Sequence, residues 1–349
     1  MTPPTRSQVL ATVSPTRLER LRSCPLRIAF EQAAPRGAAV PGSPWALVGT
    51  AIHRTIELCL EDSPLGADEA WSQACDEAAR TGRDPRAAVS ARRAFLRLQR
   101  RLPDLLDYIA QRRPMEIRRE CVITSPDGTL RGQLDLLIIG ARPSIVDHKT
   151  GSVLADGLPR GHYARQLALY AWLVERSLGL DVNEAALFSL RDGIIAVDVS
   201  RAVRDRIVTE SIQARDAFNS RAPEAQPATP SDDACGPCPY VGSCDFAWDA
   251  LRQGVIEGGY GWGDAVRGRL RAPVVIAADG TTAVPLDVEV GTVTGEAMII
   301  DVPVGLLEGC GVGNRLSAWR LARRSEEPLT LGWREGSSAL AVSVTQSDA

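Results

Sequence analysis

Two acidic side chains stand inside apolar runs, where an acid is costly to bury. Asp135 interrupts LRGQLDLLII (residues 130–139), and Asp147 sits in PSIVDHKTG (143–151), two positions before Lys149. A carboxylate in such a run needs a cation or a set of hydrogen-bond donors beside it. Lys149 is the only lysine among 349 residues, whereas arginine occurs 39 times. Arginine carries a fixed charge on a planar fork; lysine offers a compact ammonium whose pKa can move and which touches one oxygen or one water. A leftover lysine in an arginine-biased chain could fall anywhere, so its place beside a buried acid points to chemistry. Residues two apart on a strand project to the same face, which joins Asp147 to Lys149. Two carboxylates at neighbouring strand ends form a hard oxygen site for Mg2+ or Mn2+, with the ammonium placed to orient or deprotonate a water. Hydrolysis of a phosphodiester needs those parts: an in-line water and relief of negative charge on the phosphate.

Helices must bring further groups to that site. In VGTAIHRTIELCL, Ile52, Ile56 and Leu60 recur at helical spacing, and His53 lies on a neighbouring stripe with Thr50 and Glu57. In HYARQLALYAWLV, Gln166 and Tyr170 are four apart on one face, able to brace the site or a phosphate. Each has a plainer alternative. A lone histidine is more often a satisfied core or surface residue, Gln166 and Tyr170 could simply pack, and Asp135 could cap a turn. Glu120 is either support for the site or a surface-facing strand acid, and His148 and His162 are read as lying outside the ligand set.

The elements follow from periodicity. Ser14 reads as an N-cap with Pro15 in the first turn, and Cys24 falls at or just past that helix's end. Helical patterns start near Ala46 and continue through Ala67–Ala79 and Pro85–Gln111. Beyond Pro114 the period becomes two, in EIRRECVIT and TLRGQLDLLII around the turn SPDG, followed by SIVDHK. A helix over Gly161–Leu178, a hairpin around RDG and a long helix from Arg201 to Phe218 complete an order β-β-β-α-β-β-α, a mixed α/β sheet flanked by helices. After the Pro-rich segment 221–233 and a short helix near Phe246, residues 258–349 read as five or so strands of a small closed all-β domain, OB-like as a first reading. Residues 1–13 look like a loose tail.

Composition limits the classes. With 44% hydrophobic residues the chain can bury a large core. No apolar run reaches the roughly eighteen residues that span a bilayer, and no signal-peptide core is visible, so a cytoplasmic protein without membrane partners is expected. The formal net charge of -3 argues against a uniformly basic coat, but residues 80–119 hold twelve arginines against four acids and could follow a phosphate backbone. Of eight cysteines, Cys235, Cys238 and Cys244 form C-x2-C-x5-C, with Cys24 far upstream. Four thiolates suit either zinc or an iron-sulfur cluster; a single C-x2-C knuckle with the fourth ligand about two hundred residues away favours the cluster.

Taken jointly, these motifs resemble the PD-(D/E)XK nuclease superfamily, in the RecB-like branch that carries an iron-sulfur cluster and includes the AddB nuclease domain and nucleases of CRISPR spacer acquisition. The family's G-T-x-x-H matches Gly49, Thr50 and His53; its G-x-x-D matches Gly132 and Asp135; its D-x-K with trailing Thr-Gly matches Asp147, Lys149, Thr150 and Gly151; and its Q-x-x-x-Y matches Gln166 and Tyr170. The resemblance implies a restriction-endonuclease-like nuclease domain over residues 14–250, with a helical insertion at about 62–113. It implies metal ligands His53, Asp135 and Asp147, catalytic roles for Asp135, Asp147, Lys149, Gln166 and Tyr170, and a 4Fe-4S cluster on Cys24, Cys235, Cys238 and Cys244. The implied activity is that of a metal-dependent deoxyribonuclease, an exonuclease on single-stranded DNA or duplex ends, plausibly from a 5′ end, in repair, recombination or defence against foreign DNA. Two rivals stand beside it: a subunit that cuts only with a helicase or defence-system partner, and an iron-sulfur DNA-binding module that does not cut. In an OB-like domain Trp319, Trp333 or the pair Tyr260 and Trp262 could stack bases, against a core role for the same rings.

Overall fold

The computed structural model describes residues 9–33, 44–61, 63–82, 84–257, 263–278, 280–307, 310–333 and 337–342. The alternating and apolar runs become strands and the 3.6-period stretches become helices, in the expected order. In chain order the first elements are α1 (Pro15–Ser23), α2 (Pro25–Ala33), α3 (Pro44–Cys59), α4 (Ala67–Ala79) and α5 (Ala91–Gln111). Then come β1 (Glu116–Thr124), β2 (Arg131–Ile139), β3 (Ser144–Lys149), the short β4 (Leu154–Ala155) and β5 (Leu158–Pro159), α6 (Gly161–Leu178), β6 (Glu184–Ser189), β7 (Gly193–Val197) and α7 (Arg201–Asn219). The chain divides into two compact units, one made of residues 8–22 and 41–221, the other mainly of 23–40 and 222–349.

The first unit is built on a five-stranded sheet in the order β1-β2-β3-β6-β7, antiparallel except for the parallel pair β3 and β6. A parallel pair needs a crossover, and α6 supplies it. One face of the sheet is covered by α3 and α5: Ile52, Ile56, Leu98, Leu102 and Leu105 pack with Leu136, Ile138, Val146 and Phe188. Asp147, one residue on from Val146, accepts a hydrogen bond from Gln166 of α6. Consecutive strand residues point to opposite faces, so α6 covers the other side. Arg204 of α7, almost wholly buried, reaches Glu175 of α6 at 2.9 Å and Asp181 at 3.1 Å.

Two segments depart from what their sequence pattern suggests. Residues 10–13 are no loose tail: Leu10 N–H donates to Asn219 Oδ1 at 2.8 Å, Val13 exchanges backbone hydrogen bonds with Thr129 and Arg131, and Leu10 and Val13 are buried. The helix expected from Pro85 is interrupted as well. Asp84 accepts the Arg86 N–H at 2.9 Å and caps a 3-10 turn, Pro85–Ala87, before α5 starts at Ala91. Of the arginines in the basic stretch, Arg86, Arg101, Arg112 and Arg118 are ion-paired, whereas Arg92, Arg93, Arg97 and Arg100 lie exposed on α5.

In the second unit α8 (Asp232–Cys235) and α9 (Asp245–Arg252) precede β8 (Asp264–Leu270), β9 (Val275–Ile276), β10 (Thr282–Gly291), β11 (Gly295–Ile300), β12 (Arg315–Glu326), β13 (Leu329–Gly332) and β14 (Ser338–Val342). Pairing runs β11-β13-β12-β8-β10 and returns from β10 to β11, which closes a five-stranded barrel; β9 and β14 are added to it. Five strands is the number of an OB-like barrel. Closure leaves those five with neighbours on both sides and encloses Val266, Leu286, Ile299, Leu316 and Leu331. By compactness, the segments carrying Cys24 and Cys235–Cys244 fall in this unit. Trp319 is buried and Trp333 packs against the barrel core, so these two rings are core residues and not open stacking platforms; Tyr260 and Trp262 lie outside the described residues. No described helix is long and apolar enough to cross a membrane.

Gly132 shows how tightly the sheet meets α6: a Cβ there would stand 2.5 Å from Tyr170 Cε1 and 2.9 Å from Cδ1. Gly132→Ala must therefore displace the tyrosine ring. The expected outcome is a loss of about 1–3 kcal/mol in chemical denaturation, the usual cost of overpacking, partly recovered when Tyr170→Leu is added.

Candidate active site

Three elements converge at the C-terminal half of β3. β2 supplies Asp135, β3 supplies Asp147, His148 and Lys149, and α3 supplies His53 from the covering helical layer. The Asp135 carboxylate is held from two sides. Oδ2 accepts the His148 backbone N–H at 2.6 Å, and Oδ1 lies 3.6 Å from His53 Nδ1. Asp147 is 1% exposed, and Lys149 Nζ lies 2.5 Å from its Oδ2. The opposite oxygen, Oδ1, accepts from Gln166 Nε2 at 3.1 Å, and the same amide nitrogen donates to Tyr170 Oη at 3.0 Å. The five residues expected to act together, with His53, are therefore brought together in this unit.

The electrostatics are those of two acids too close to ionise freely. Burial and the neighbouring Asp135 charge push Asp147 up to about 6, with Lys149 working against them. Burial acts on Asp135 as well, but His53, His148 and Lys149 outweigh it and hold its carboxyl well below the usual range. The Asp135 carboxylate raises His53 against burial. Lys149 is raised because the Asp147 and Asp135 charges overcome its burial. Burial lowers His148 to about 4, which keeps its imidazole neutral.

This donor set fits a divalent ion. His53, Asp135 and His148 offer one ligand atom each within 4.8 Å of one another, the only such group of three or more among the described residues. His148 Nε2 is buried without a hydrogen-bond partner, whereas Asp147 Oδ2 is ion-paired with Lys149. Orphaned buried acceptors are rare unless something else binds them. The compact group contains His148, which the sequence reading set outside the ligands, and does not contain Asp147, which it placed inside. His162 is not part of that group; its ring is tilted against that of Tyr163, with centroids 3.9 Å apart.

Supporting residues appear that spacing alone did not mark. Ser189 Oγ donates to Gly151 O at 2.8 Å, while Asp192 accepts from Ser152 Oγ at 2.9 Å and from Val153 N at 2.6 Å, so the turn after Lys149 is fixed by the hairpin beyond α6. Lys149 Nζ lies 5.1 Å from the Tyr163 ring centroid, within cation–π range. Glu120, opposite Asp135 across the β1–β2 pairing, has φ 45, accepts from Gln133 Nε2 at 2.5 Å, and is pushed up to about 7 by burial and the Asp135 charge. A non-glycine residue with positive φ inside a strand is a feature that only coordinates reveal.

The four cysteines named above do not assemble as a compact ligand set: no three of their sulfurs fall within single-ion spacing of one another. All four line apolar surroundings of the second unit, Cys235 and Cys238 beside Trp248 and Val241, Cys24 and Cys244 beside Phe30 and Tyr240. Burial raises the thiols of Cys235, Cys238 and Cys244, the first to about 12.

Comparison with known proteins gives the family. A search of curated proteins finds no match. Among solved structures the chain is similar to SSO0001 (18% identity, 70% of this chain and 90% of that one, TM-score 0.31). It is also similar to a candidate exonuclease from Eubacterium rectale (12%, 68% and 87%, TM-score 0.43) and to LHK-Exo in complex with dAMP (13%, 50% and 90%, TM-score 0.28). The model of the PD-(D/E)XK nuclease superfamily matches residues 12–245, which span the sheet, both helical layers and every residue of the site just described. The chain belongs to the PD-(D/E)XK nuclease superfamily and is a phosphodiester hydrolase.

Proposed function

We propose that this hydrolase is a divalent-metal-dependent exonuclease on single-stranded DNA or duplex ends, working from the 5′ end in repair, recombination or defence against foreign DNA. The observation that carries the catalytic part is the meeting of Asp135, Asp147 and Lys149 with two histidines around the end of β3. His53, Asp135 and His148 would hold Mg2+ or Mn2+ with Asp147 beside them, and nitrogen ligands favour manganese. A bound ion there supplies charge neutralisation at the scissile phosphate and a lower pKa for the attacking water.

The chain's own groups do the rest. Lys149 keeps its ammonium beside Asp147 and presents it to the water and to the charge that grows on the phosphate oxygens. Gln166 orients the Asp147 carboxylate, and Tyr170 fixes Gln166 through its hydroxyl. The sequence motifs and family membership support DNA as substrate; end preference and pathway rest on the RecB-like resemblance. On purified protein with end-labelled single- and double-stranded DNA in Mg2+ and in Mn2+, Lys149→Ala and Asp147→Asn are each expected to lower the rate about a hundred- to a thousandfold. Cutting by either variant at the wild-type rate would remove these roles. Activity without partners counts against an obligate helicase subunit, and inactive wild type against the enzyme reading.

We also propose that Cys24, Cys235, Cys238 and Cys244 hold a 4Fe-4S cluster that ties α2 to the cysteine loop. In support, the thiols line two apolar clusters that share Tyr240 and Cys244, and Cys238, Cys244 and Cys24 each act electrostatically on Cys235, while a cluster takes one thiolate on each iron. Anaerobic preparation should yield a brown protein with equal iron and acid-labile sulfide. Stoichiometric zinc with no iron would overturn the assignment.

A further inference from the structure

The cavity at the active site does not end at Asp135. A space of about 370 Å3 is lined by Ser14, Glu120, Gly132, Gln133, Asp135 and Tyr170. A second, of about 380 Å3, shares Ser14, Gly132 and Gln133 as walls and continues past Thr12, Arg17, Val122 and Arg131. Three common wall residues make the two a single groove. Its near half carries the acids Glu120 and Asp135; its far half is lined by no acid and by two arginines, Arg17 from the first turn of α1 and Arg131 from the start of β2.

Both arginines carry open charge. Among the described residues neither guanidinium has an ion-pair or hydrogen-bond partner, although on the same helix Glu19 is taken by Arg165 at 2.7 Å and Arg22 takes Glu210 at 2.9 Å. The ground under them is rigid. Arg131 N–H donates to Val13 O at the bridge before β2, and the Glu19–Arg165 pair fastens α1 to the helix that carries Gln166 and Tyr170. Two pre-placed cations with no anion of their own, beside an exposed apolar wall at Val122, suit a ligand that alternates phosphate with apolar surface.

We propose that this groove seats the phosphate backbone of the strand next to the scissile bond, with Arg17 and Arg131 as positioning residues. The inference rests on the nuclease reading of the site and names a subsite for its substrate. Arginine contacts to phosphate hold register without reading sequence, so the effect falls on affinity for every sequence alike. Either an internal phosphodiester or a terminal phosphate offers the required chemistry.

The test uses the full-length protein with Arg17→Gln, Arg131→Gln and the double variant, beside a control in which Arg142→Gln and Arg201→Gln remove two exposed charges elsewhere on the same unit. Binding of a labelled single strand is read without divalent metal over a salt series, and steady-state cleavage is read with Mn2+. The double variant should melt like wild type, bind about tenfold more weakly and show a salt slope shallower by about 1.4, from two lost single-strand phosphate contacts. Its KM should rise while kcat at saturating DNA stays, with each single variant between. A loss on circular as well as linear strands assigns internal phosphates; a loss confined to 5′-phosphorylated ends assigns the terminal one. Unchanged affinity and slope in the double variant, or an equal change in the control, overturns the groove. Because binding is read without cleavage, a wild type that binds through these arginines but never cuts would defeat the nuclease reading and leave the groove standing.

Discussion

The structure depends on the repulsion between two buried carboxylates that only a cation can settle. Asp135 and Asp147 sit in adjacent strands, and their surroundings drive them apart: one is held ionised by His53, His148 and Lys149, the other is pushed toward its neutral form by burial and by the first acid's charge. A protein interior accepts such a pair only with compensation, because desolvating each charge costs several kcal/mol. Lys149 provides part of it at 2.5 Å from Asp147. The unpartnered His148 Nε2, and an Asp147 carboxyl still pushed up despite Lys149, show that the compensation is incomplete within the chain itself. The same shortage that would weaken a purely structural core is what equips a pocket to bind a divalent ion.

The fold serves to hold that shortage in place. β3 pairs with β2 on one side and with β6 on the other, so its backbone groups are satisfied while its side chains alternate between two helical layers. Val146 and Phe188 lock α3 and α5 on one face, which fixes where His53 stands; Gln166 and Tyr170 approach from α6 on the other. The contact of Gly132 with Tyr170 leaves no room for drift between β2 and α6. Ser189 and Asp192 then tether the turn after Lys149, so the ammonium is fixed by residues some forty positions later in the chain.

Much of this was legible in the sequence because the governing periodicities are strong. Acids inside apolar runs announced Asp135 and Asp147, a solitary lysine announced Lys149, and the i, i+4 spacing of Gln166 and Tyr170 announced a shared face. His148 was read apart from the site because strand alternation sets it on the opposite face from Asp147, and alternation cannot show that α3 brings a second histidine to that face. Glu120 was left undecided because its orientation follows from a positive φ that no pattern encodes. Residues 10–13 read as a tail because their ties are to Asn219, Thr129 and Arg131, partners more than a hundred positions away. The grouping of Cys24 and the cysteine loop with the β-barrel unit, and the ring formed when β10 pairs with β11, likewise depend on long-range contacts. Local propensity and spacing specify elements and faces; they do not specify which distant face arrives opposite.

The most direct measurement is thermal and chemical unfolding with and without Mn2+, comparing wild type with Asp135→Asn, His148→Ala and His162→Ala. An ion that binds only the folded pocket stabilises it by mass action, about 2.7 kcal/mol at a hundredfold excess over its dissociation constant. The account predicts that gain for wild type and for His162→Ala, and its loss for Asp135→Asn and His148→Ala. A wild type whose stability ignores Mn2+ and Mg2+, or an Asp135→Asn variant that keeps the full gain, would contradict it.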